Sequence, residues 1–333
     1  MSRLACLPAA FLILTLSGCV DTIRPGTLLE RRGDEIVACG QLFHIGTPVV
    51  LWTDPGGYDA YRVEKRFDRT PTTQPEPARY GTWRRGVDPE IDSRIRERGW
   101  DLASLQRHVD LFVIHYDVCG TSEQCFKVLH DLRTLSVHFM LDLDGTIYQT
   151  LDLKERAWHA AEYNDRSVGI EIANIGAYPV EQPATATQPA ALPKTLAEWY
   201  ADHCRRCGWP IVTLPAAMGD GGILTPNFVA TPARREPVVG SIHGRPLMQY
   251  DLTPQQYEAL TRLTAGLSRV LPRIGLDVPR DAAGRPRTDL LSAEEMKGYS
   301  GLIGHYHLTE RKFDPGPAFD WDRVIDGARR ALR

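Results

Sequence analysis

The chain is 333 residues long, and its 39 basic and 42 acidic side chains leave a formal charge of −3, which excludes a nucleic-acid binder that draws its affinity from a basic surface. With 43% hydrophobic and 24% charged residues, the composition is that of a folded globular protein, not of a disordered chain. The one long apolar run, Leu7 to Leu16, is too short to span a bilayer, so a polytopic membrane protein is excluded as well.

That run follows Arg3 and ends in Leu16-Ser17-Gly18-Cys19. A short positive region before an apolar stretch of this length is the arrangement of a signal peptide. The four closing residues resemble the lipobox of bacterial lipoproteins, whose cysteine becomes the lipidated first residue of the mature chain. Residues 1–18 are therefore expected to be a lipoprotein signal peptide and Cys19 the lipidation site. The alternative is an ordinary secretory signal with an incidental cysteine. An acyl anchor holds a protein on a membrane without crossing it. Val20, where an Asp favours inner-membrane retention in enterobacteria, is compatible with the outer membrane facing the periplasm. Of the seven cysteines, Cys6 leaves with the leader and Cys19 is acylated. In an exported protein, close pairs read as disulfides: Cys119 with Cys125 and Cys204 with Cys207, Cys39 being left over. A zinc knuckle at 204–207, with His203, lacks a second ligand pair.

Residues 19–109 read as an N-terminal extension and linker. Within it, Glu35–Ala38 and Pro48–Trp52 are expected as short paired strands, Asp54-Pro55-Gly56-Gly57 as a turn, Arg69–Arg79 as an extended Thr/Pro linker, and Asp101–His108 as a short helix. From residue 110 the texture changes, and 110–333 is expected to be the catalytic domain. Leu111-Phe112-Val113-Ile114 is a continuous apolar run of the buried-strand kind, ending in His115. Thr121 or Ser122 can cap a helix to about Arg133. Val137–Leu143, the Asp144-Gly145 turn and Thr146–Leu151 form a hairpin. Val168–Ile172 is a further strand with an acid, Glu171, among apolar neighbours.

Residues 176–250 interrupt this pattern and read as an insertion holding a helix from Lys194 to Cys207 and a Gly/Pro-rich tract. Thr253-Pro254-Gln255-Gln256 then opens a helix with a capping box and a proline at its first position. Tyr257, Leu260, Leu263, Leu267 and Val270 recur at helical spacing. Leu302–His305 is a strand ending in a histidine, and Phe319–Leu332 is a terminal helix.

Two strands thus end in histidine, at His115 and His305, and Asp314 follows shortly after the second. Two neutral imidazoles and a carboxylate are a common catalytic zinc set with a fourth position left for water. On spacing alone, three unrelated polar residues are the rival reading, and His138, His159, His243 and His307 compete as ligands. His305 and His307 could together present two imidazoles.

The ordered set Val113-Ile114-His115, Ser136-Val137-His138-Phe139, Asp144-Gly145-Thr146-Ile147-Tyr148-Gln149, Ala157-Trp158-His159-Ala160, Asn164–Glu171, Gly304-His305 and Lys312–Trp321 resembles the zinc-dependent N-acetylmuramoyl-L-alanine amidases of the Amidase_2 family, above all their AmpD-like branch. Peptidoglycan recognition proteins share that fold. The resemblance covers about 110–175 and 251–325. It implies an α/β (α+β) fold with a central mixed sheet flanked by helices. It further implies Zn2+ held by His115, His305 and Asp314, Glu171 as catalytic acid/base, Lys312 beside the oxyanion and His159 in the substrate cleft. His138 is expected to be structural. The Cys119/Cys125 pair stands where recognition proteins carry a disulfide. His307 departs from the AmpD-like pattern, and His305 and Asp314 stand one residue closer than in AmpD. The expected substrate is peptidoglycan or muropeptides. The rivals are a non-catalytic peptidoglycan-binding protein and an amidase confined to soluble anhydromuropeptides, which the leader argues against.

Overall fold

The structure is a computed structural model describing residues 26, 30–67, 76–180, 190–206 and 208–333. It divides into two units, Met1–Arg31 and Arg32–Arg333. Of the first, Gly26, Glu30 and Arg31 alone are described, so the expected leader and Cys19 lie outside the described residues. Among the described residues no helix is long and apolar enough to cross a membrane.

In the second unit the chain runs β1 (Glu35–Ala38), β2 (Gln41–His44), β3 (Val49–Leu51), β4 (Tyr80–Gly81), α1 (Pro89–Arg98), α2 (Leu102–His108), β5 (Leu111–Tyr116) and α3 (Ser122–Phe126), which widens into a π-helical stretch at Lys127–Leu132. It continues through β6 (Phe139–Leu141), β7 (Ile147–Gln149), β8 (Arg156–Ala157), β9 (Ser167–Ile172), β10 (Tyr178–Pro179), α4 (Lys194–Trp199), β11 (Val238–Ile242), β12 (Arg245–Gln249), α5 (Pro254–Val270), α6 (Ala293–Gly298), β13 (Gly301–Gly304) and α7 (Trp321–Ala331).

Six strands form the central sheet in the order β13-β5-β9-β6-β7-β3. It is mixed: β13, β5, β9 and β6 run parallel, β7 is antiparallel to β6, and β3 is parallel to β7. Parallel strands need both faces covered, which explains the unbroken apolar run of β5. On one face, Phe112, Ile114, Val168, Ile170 and Ile172 pack against Leu260, Leu263 and Leu267 of α5 and Val324 and Ile325 of α7. On the other face, Met140 packs with Phe126 and Leu129, and Val113 with Ile303 and Met296. α5 starts as its sequence dictates: Gln256 N–H donates to the Thr253 hydroxyl, and Thr253 N–H donates to the Gln256 side chain. Such a cap contributes about 1 kcal/mol.

Four expectations need correction. Glu35–Ala38 does not pair with Val49–Leu51; β1 pairs with β2, and β3 joins β7 in the central sheet. Pattern marks a strand but not its partner. The helix expected over Lys194–Cys207 ends at Trp199, because the backbone turns to bring His203 against Pro210. The Gly/Pro-rich tract contains a hairpin, β11–β12, whose His243-Gly244 turn has both residues at positive φ, as a two-residue type I′ turn requires. With β10 this hairpin makes a separate three-stranded sheet. Within the segment 19–109, read as extension and linker, described residues pack into the same unit: Ile36, Val37, Val49 and Leu105 belong to the main core. Residues 68–75, which hold most of the expected Arg69–Arg79 linker, lie outside the described residues.

Candidate metal centre and active site

Side chains alternate between the faces of a strand. Phe112 and Ile114 enter the main core, so Leu111, Val113 and His115 of β5 face the other way. In β9, Val168, Ile170 and Ile172 take the core, which leaves Ser167, Gly169 and Glu171 on the same face as His115. The parallel register sets His115 opposite Glu171. On the far side of β5, β13 ends at Gly304 and the chain coils into a 3-10 turn, which presents His305. The loop beyond returns Asp314, whose carbonyl accepts from Tyr306 N–H at 3.1 Å.

Three atoms converge there. His115 Nδ1 lies 3.0 Å from His305 Nδ1 and 2.8 Å from Asp314 Oδ2, and His305 Nδ1 lies 3.0 Å from the same oxygen. Two ligands of a tetrahedral ion with bonds of about 2.0–2.1 Å stand roughly 3.3 Å apart, so this triangle is close to a ligand set and slightly contracted. The donor chemistry fits a cation. With its Nε2–H donated to His159 Nδ1, 3.0 Å away, His115 turns the lone pair of Nδ1 towards the triangle, where a carboxylate oxygen and a second ring nitrogen already stand. A metal-bound histidine characteristically gives its other N–H to such a partner. Burial, and then the charge of His305, push the His115 pKa down to about 4. Burial alone would raise the Asp314 pKa, but the charge of His305 and the two imidazoles against its carboxylate hold it well below the usual carboxylate range. A neutral imidazole and an ionised carboxylate are the forms a metal needs.

Glu171 stands next to this group. As a residue it is half-buried, with Oε2 sealed from solvent and lacking a hydrogen-bond partner. Burial, then the charges of Asp314 and Asp117, push its pKa well above the ordinary carboxylate value. His115, His305, Asp314, Glu171, His159 and Lys312 all line one cavity of about 550 Å³, together with Trp158 and Tyr116.

His159 stands directly behind His115 and on the cavity wall. Its Nε2 lies 3.3 Å from Ser167 Oγ, and its backbone N–H and that of Ala160 both donate to Asn164 Oδ1. Burial, then the neighbouring His115, hold its pKa well below the usual imidazole value. Gly169 packs flat against this ring: a Cβ there would stand 2.4 Å from His159 Cε1. His138 is structural in its contacts, buried with Nδ1 accepting from Gly169 N–H and Nε2 donating to the Glu155 carbonyl. His307 is also buried, its Nδ1 accepting from Gly304 N–H and its Nε2 donating to the Arg287 carbonyl. His243 Nε2 donates to the Lys312 carbonyl at 3.1 Å. None of these three joins the triangle.

Cys119 and Cys125 stand side by side as thiols, in hydrogen-bond contact, on the wall of the same cavity. Cys207 lies outside the described residues, and with it the expected pairing to Cys204. The Cys39 thiol is pushed up to about 12, chiefly by burial, so it is a poor nucleophile.

Sequence reasoning missed three contributors. Arg84 is fully buried, and its guanidinium donates to the carbonyls of Leu153, Asn164 and Ser167, fastening the loop that carries His159. Nothing local marks an isolated arginine in a segment read as a linker. Asp117, two residues after His115, accepts three backbone N–H bonds through Oδ1, and burial raises its pKa to about 7. Gln249, at the end of β12, donates to the Pro315 carbonyl and accepts from Ala318 N–H. The insertion thereby holds the turn that follows Asp314.

Among known proteins, residues 105–214 match the Amidase_2 family, described as N-acetylmuramoyl-L-alanine amidase. His115, His159 and Glu171 fall inside that range, and His305, Lys312 and Asp314 beyond it. No curated protein matches. Solved structures similar to this chain include a selenomethionine derivative of AmpD (20% identity, 68% of this chain and 86% of that one, TM-score 0.31). They also include the N-acetylmuramyl-L-alanine amidase AmiD from E. coli, in complex with anhydro-N-acetylmuramic acid-L-Ala-D-gamma-Glu-L-Lys (17% identity, 66% and 57%, TM-score 0.35). A third is the amidase LysC from Clostridium intestinale URNW (14%, 69% and 89%, TM-score 0.33). The family that the sequence motifs resemble is thus also the one that residues 105–214 match.

Proposed function

We propose that this protein is an exported zinc-dependent N-acetylmuramoyl-L-alanine amidase that hydrolyses the bond between N-acetylmuramic acid and L-alanine in peptidoglycan or muropeptides, for cell-wall remodelling or recycling. The observation that carries this reading is the convergence of His115, His305 and Asp314 in a cavity that Glu171 also lines. The Amidase_2 match over 105–214 supports it. Zinc held by these three residues supplies a Lewis acid for the amide carbonyl and acidifies the attacking water. Glu171 takes the water proton at its carboxylate and hands it to the leaving nitrogen as the C–N bond breaks. Its raised pKa suits a group that must hold the proton between the two steps. Lys312 sets positive charge beside the carbonyl oxygen as that oxygen gains negative charge. His159 orients His115 and contributes to the cleft that receives substrate. The products are a free lactyl carboxylate and a stem peptide beginning with L-Ala.

The reading includes a lipid anchor at Cys19 and an outer-membrane address facing the periplasm, supported by residues 1–20 of the sequence alone. A Cys19→Ala protein that partitions into detergent like the wild type counts against the anchor. The activity is tested by incubating the protein lacking residues 1–19 with purified sacculi and analysing the products by mass spectrometry. Free peptides with an L-Ala amino terminus are expected. Zinc binding and sacculus binding without peptide release would instead identify a non-catalytic peptidoglycan binder, and cleavage of soluble anhydromuropeptides alone would confine the enzyme to recycling.

A further inference from the structure

A second cavity, of about 540 Å³, lies outside the catalytic one, between the residues after β4, the end of α1 and the segment before β8. Trp83, Trp100 and Ile95 line it, with Arg96, Lys154 and Glu155. Both indoles are half-buried. Each is held by its own contacts: the Arg96 guanidinium lies 4.1 Å from the Trp83 ring centroid, and Trp100 Nε1–H donates to the Thr82 carbonyl at 3.2 Å. Arg84, next to Trp83, donates to the carbonyls of Leu153 and Lys154, so the two walls are stapled from beneath. Pockets of this size accept small ligands, and a few polar groups among aromatic walls set their orientation.

The charges of the cavity are already balanced. Arg96 Nε lies 2.9 Å from Asp92, and Lys154 Nζ lies 4.0 Å from Glu155, whose carboxylate also accepts from the Tyr61 hydroxyl. Such a site has little to offer a phosphate or an acidic peptide. It suits an uncharged ligand with a flat apolar face and a rim of hydroxyl or amide groups, which describes a pyranose ring. The indole face is a large, rigid apolar platform with a polar edge. Position adds to this. Lys154 and Glu155 line the second cavity, while Trp158 and His159 line the catalytic one. Residues 154 and 158 lie at most about 14 Å apart along an extended chain, within reach of one short run of a sugar polymer.

We propose that the Trp83/Trp100 cavity is a glycan subsite that binds an uncharged stretch of N-acetylated sugar polymer beside the catalytic cleft. The choice of polymer rests on the peptidoglycan reading above. The probe is a β-1,4-linked N-acetylglucosamine tetramer, which contains no lactyl–alanine amide. It is titrated calorimetrically into the zinc-loaded full-length protein in mild detergent and followed by the indole N–H signals in ¹H–¹⁵N spectra. Saturable binding is expected, with shifts at Trp83 and Trp100. Trp83→Ala should weaken it at least about tenfold, equivalent to roughly 1.4 kcal/mol, and Trp83→Phe should restore part of the loss, which also controls for misfolding. No binding at millimolar tetramer overturns the proposal. So do shifts confined to Trp158, or an unchanged affinity in a folded Trp83→Ala protein. A proline-rich peptide that moves the same two indoles when the tetramer does not would assign the cavity to a different class of ligand. Failure of the amidase reading shows separately, as no peptide release from sacculi, and failure of the subsite as absent tetramer binding with release intact.

Discussion

Gly169→Ala tests the surroundings of the proposed metal centre with a single methyl group. The new Cβ would stand 2.4 Å from His159 Cε1, 2.5 Å from Nδ1 and 2.8 Å from Nε2, where ordinary contact begins at 3.4 Å. The ring must therefore retreat by about 1 Å, the difference between 3.4 and 2.4 Å; packing strain of this kind costs typically about 1–3 kcal/mol. The ring is not free to retreat, because His159 Nδ1 is hydrogen-bonded to His115 Nε2 at 3.0 Å. Losing that bond frees the tautomer and orientation of a proposed metal ligand, a change that typically costs about 10–100-fold in metal affinity or activity. At about 2–4 °C per kcal/mol for a domain of this size, Tm should fall by several degrees. Zinc affinity is measured by competition with a chromophoric chelator, and turnover by peptide release. His159→Ala in the Gly169→Ala background removes the clashing ring, so it should recover stability without recovering activity, and the four proteins form a double-mutant cycle. A Gly169→Ala protein with wild-type Tm, zinc affinity and turnover would refute the coupling of β9 to His115 through His159.

Glu171→Gln keeps the shape of the cavity but cannot carry a proton. It should retain zinc and lose about 10²–10⁴ in kcat, and full activity would remove the acid/base role. His305→Ala takes away one corner of the triangle and should strip the metal, read as metal content per chain after dialysis. His138 supplies a pH prediction: burial, then Arg84, push its folded pKa down to about 3, against an ordinary 6.5. Between those values the unfolded chain binds a proton that the folded one does not. Its contribution is therefore complete above pH 6.5 and is lost as pH falls, by about 1.4 kcal/mol per pH unit. His138→Gln should flatten Tm against pH in that window, and an unchanged slope would contradict the buried neutral imidazole. Under an oxidising buffer, Cys119 and Cys125 should become resistant to alkylation together, and Cys119→Ser should leave one thiol reactive.

Strand and helix signals that depend on neighbouring residues were legible in the sequence. The apolar run of β5, the alternation of β9 and the capping box of α5 all work through local pattern, and each appears in the structure. The convergence of His115, His305 and Asp314 was not legible from spacing, since it depends on β13 lying beside β5. The ordered motifs supplied it. Whether Glu171 faced solvent or a site was also open, because alternation gives two faces without saying which is covered. Arg84 and Gln249 were invisible for a related reason. Each matters through carbonyls or a turn far along the chain, at 153–167 and 315–318. The β11–β12 hairpin was hidden by Pro237, Gly240 and Pro246, residues that weaken a strand pattern, and by a His-Gly turn where Asn-Gly is the familiar signal.

The parallel pairing of β3 with β7 bears on where this protein can be cut. β3 is the last strand on its side of the central sheet, and it comes from residues 49–51, well upstream of the family match that begins at 105. A fragment starting there would leave the backbone of β7 without its partner along Ile147–Gln149 and would uncover apolar residues that Ile36, Val37 and Val49 now shield. An open strand edge beside bare apolar surface recruits other chains. A fragment that keeps this edge and these apolar residues covered therefore begins near residue 32.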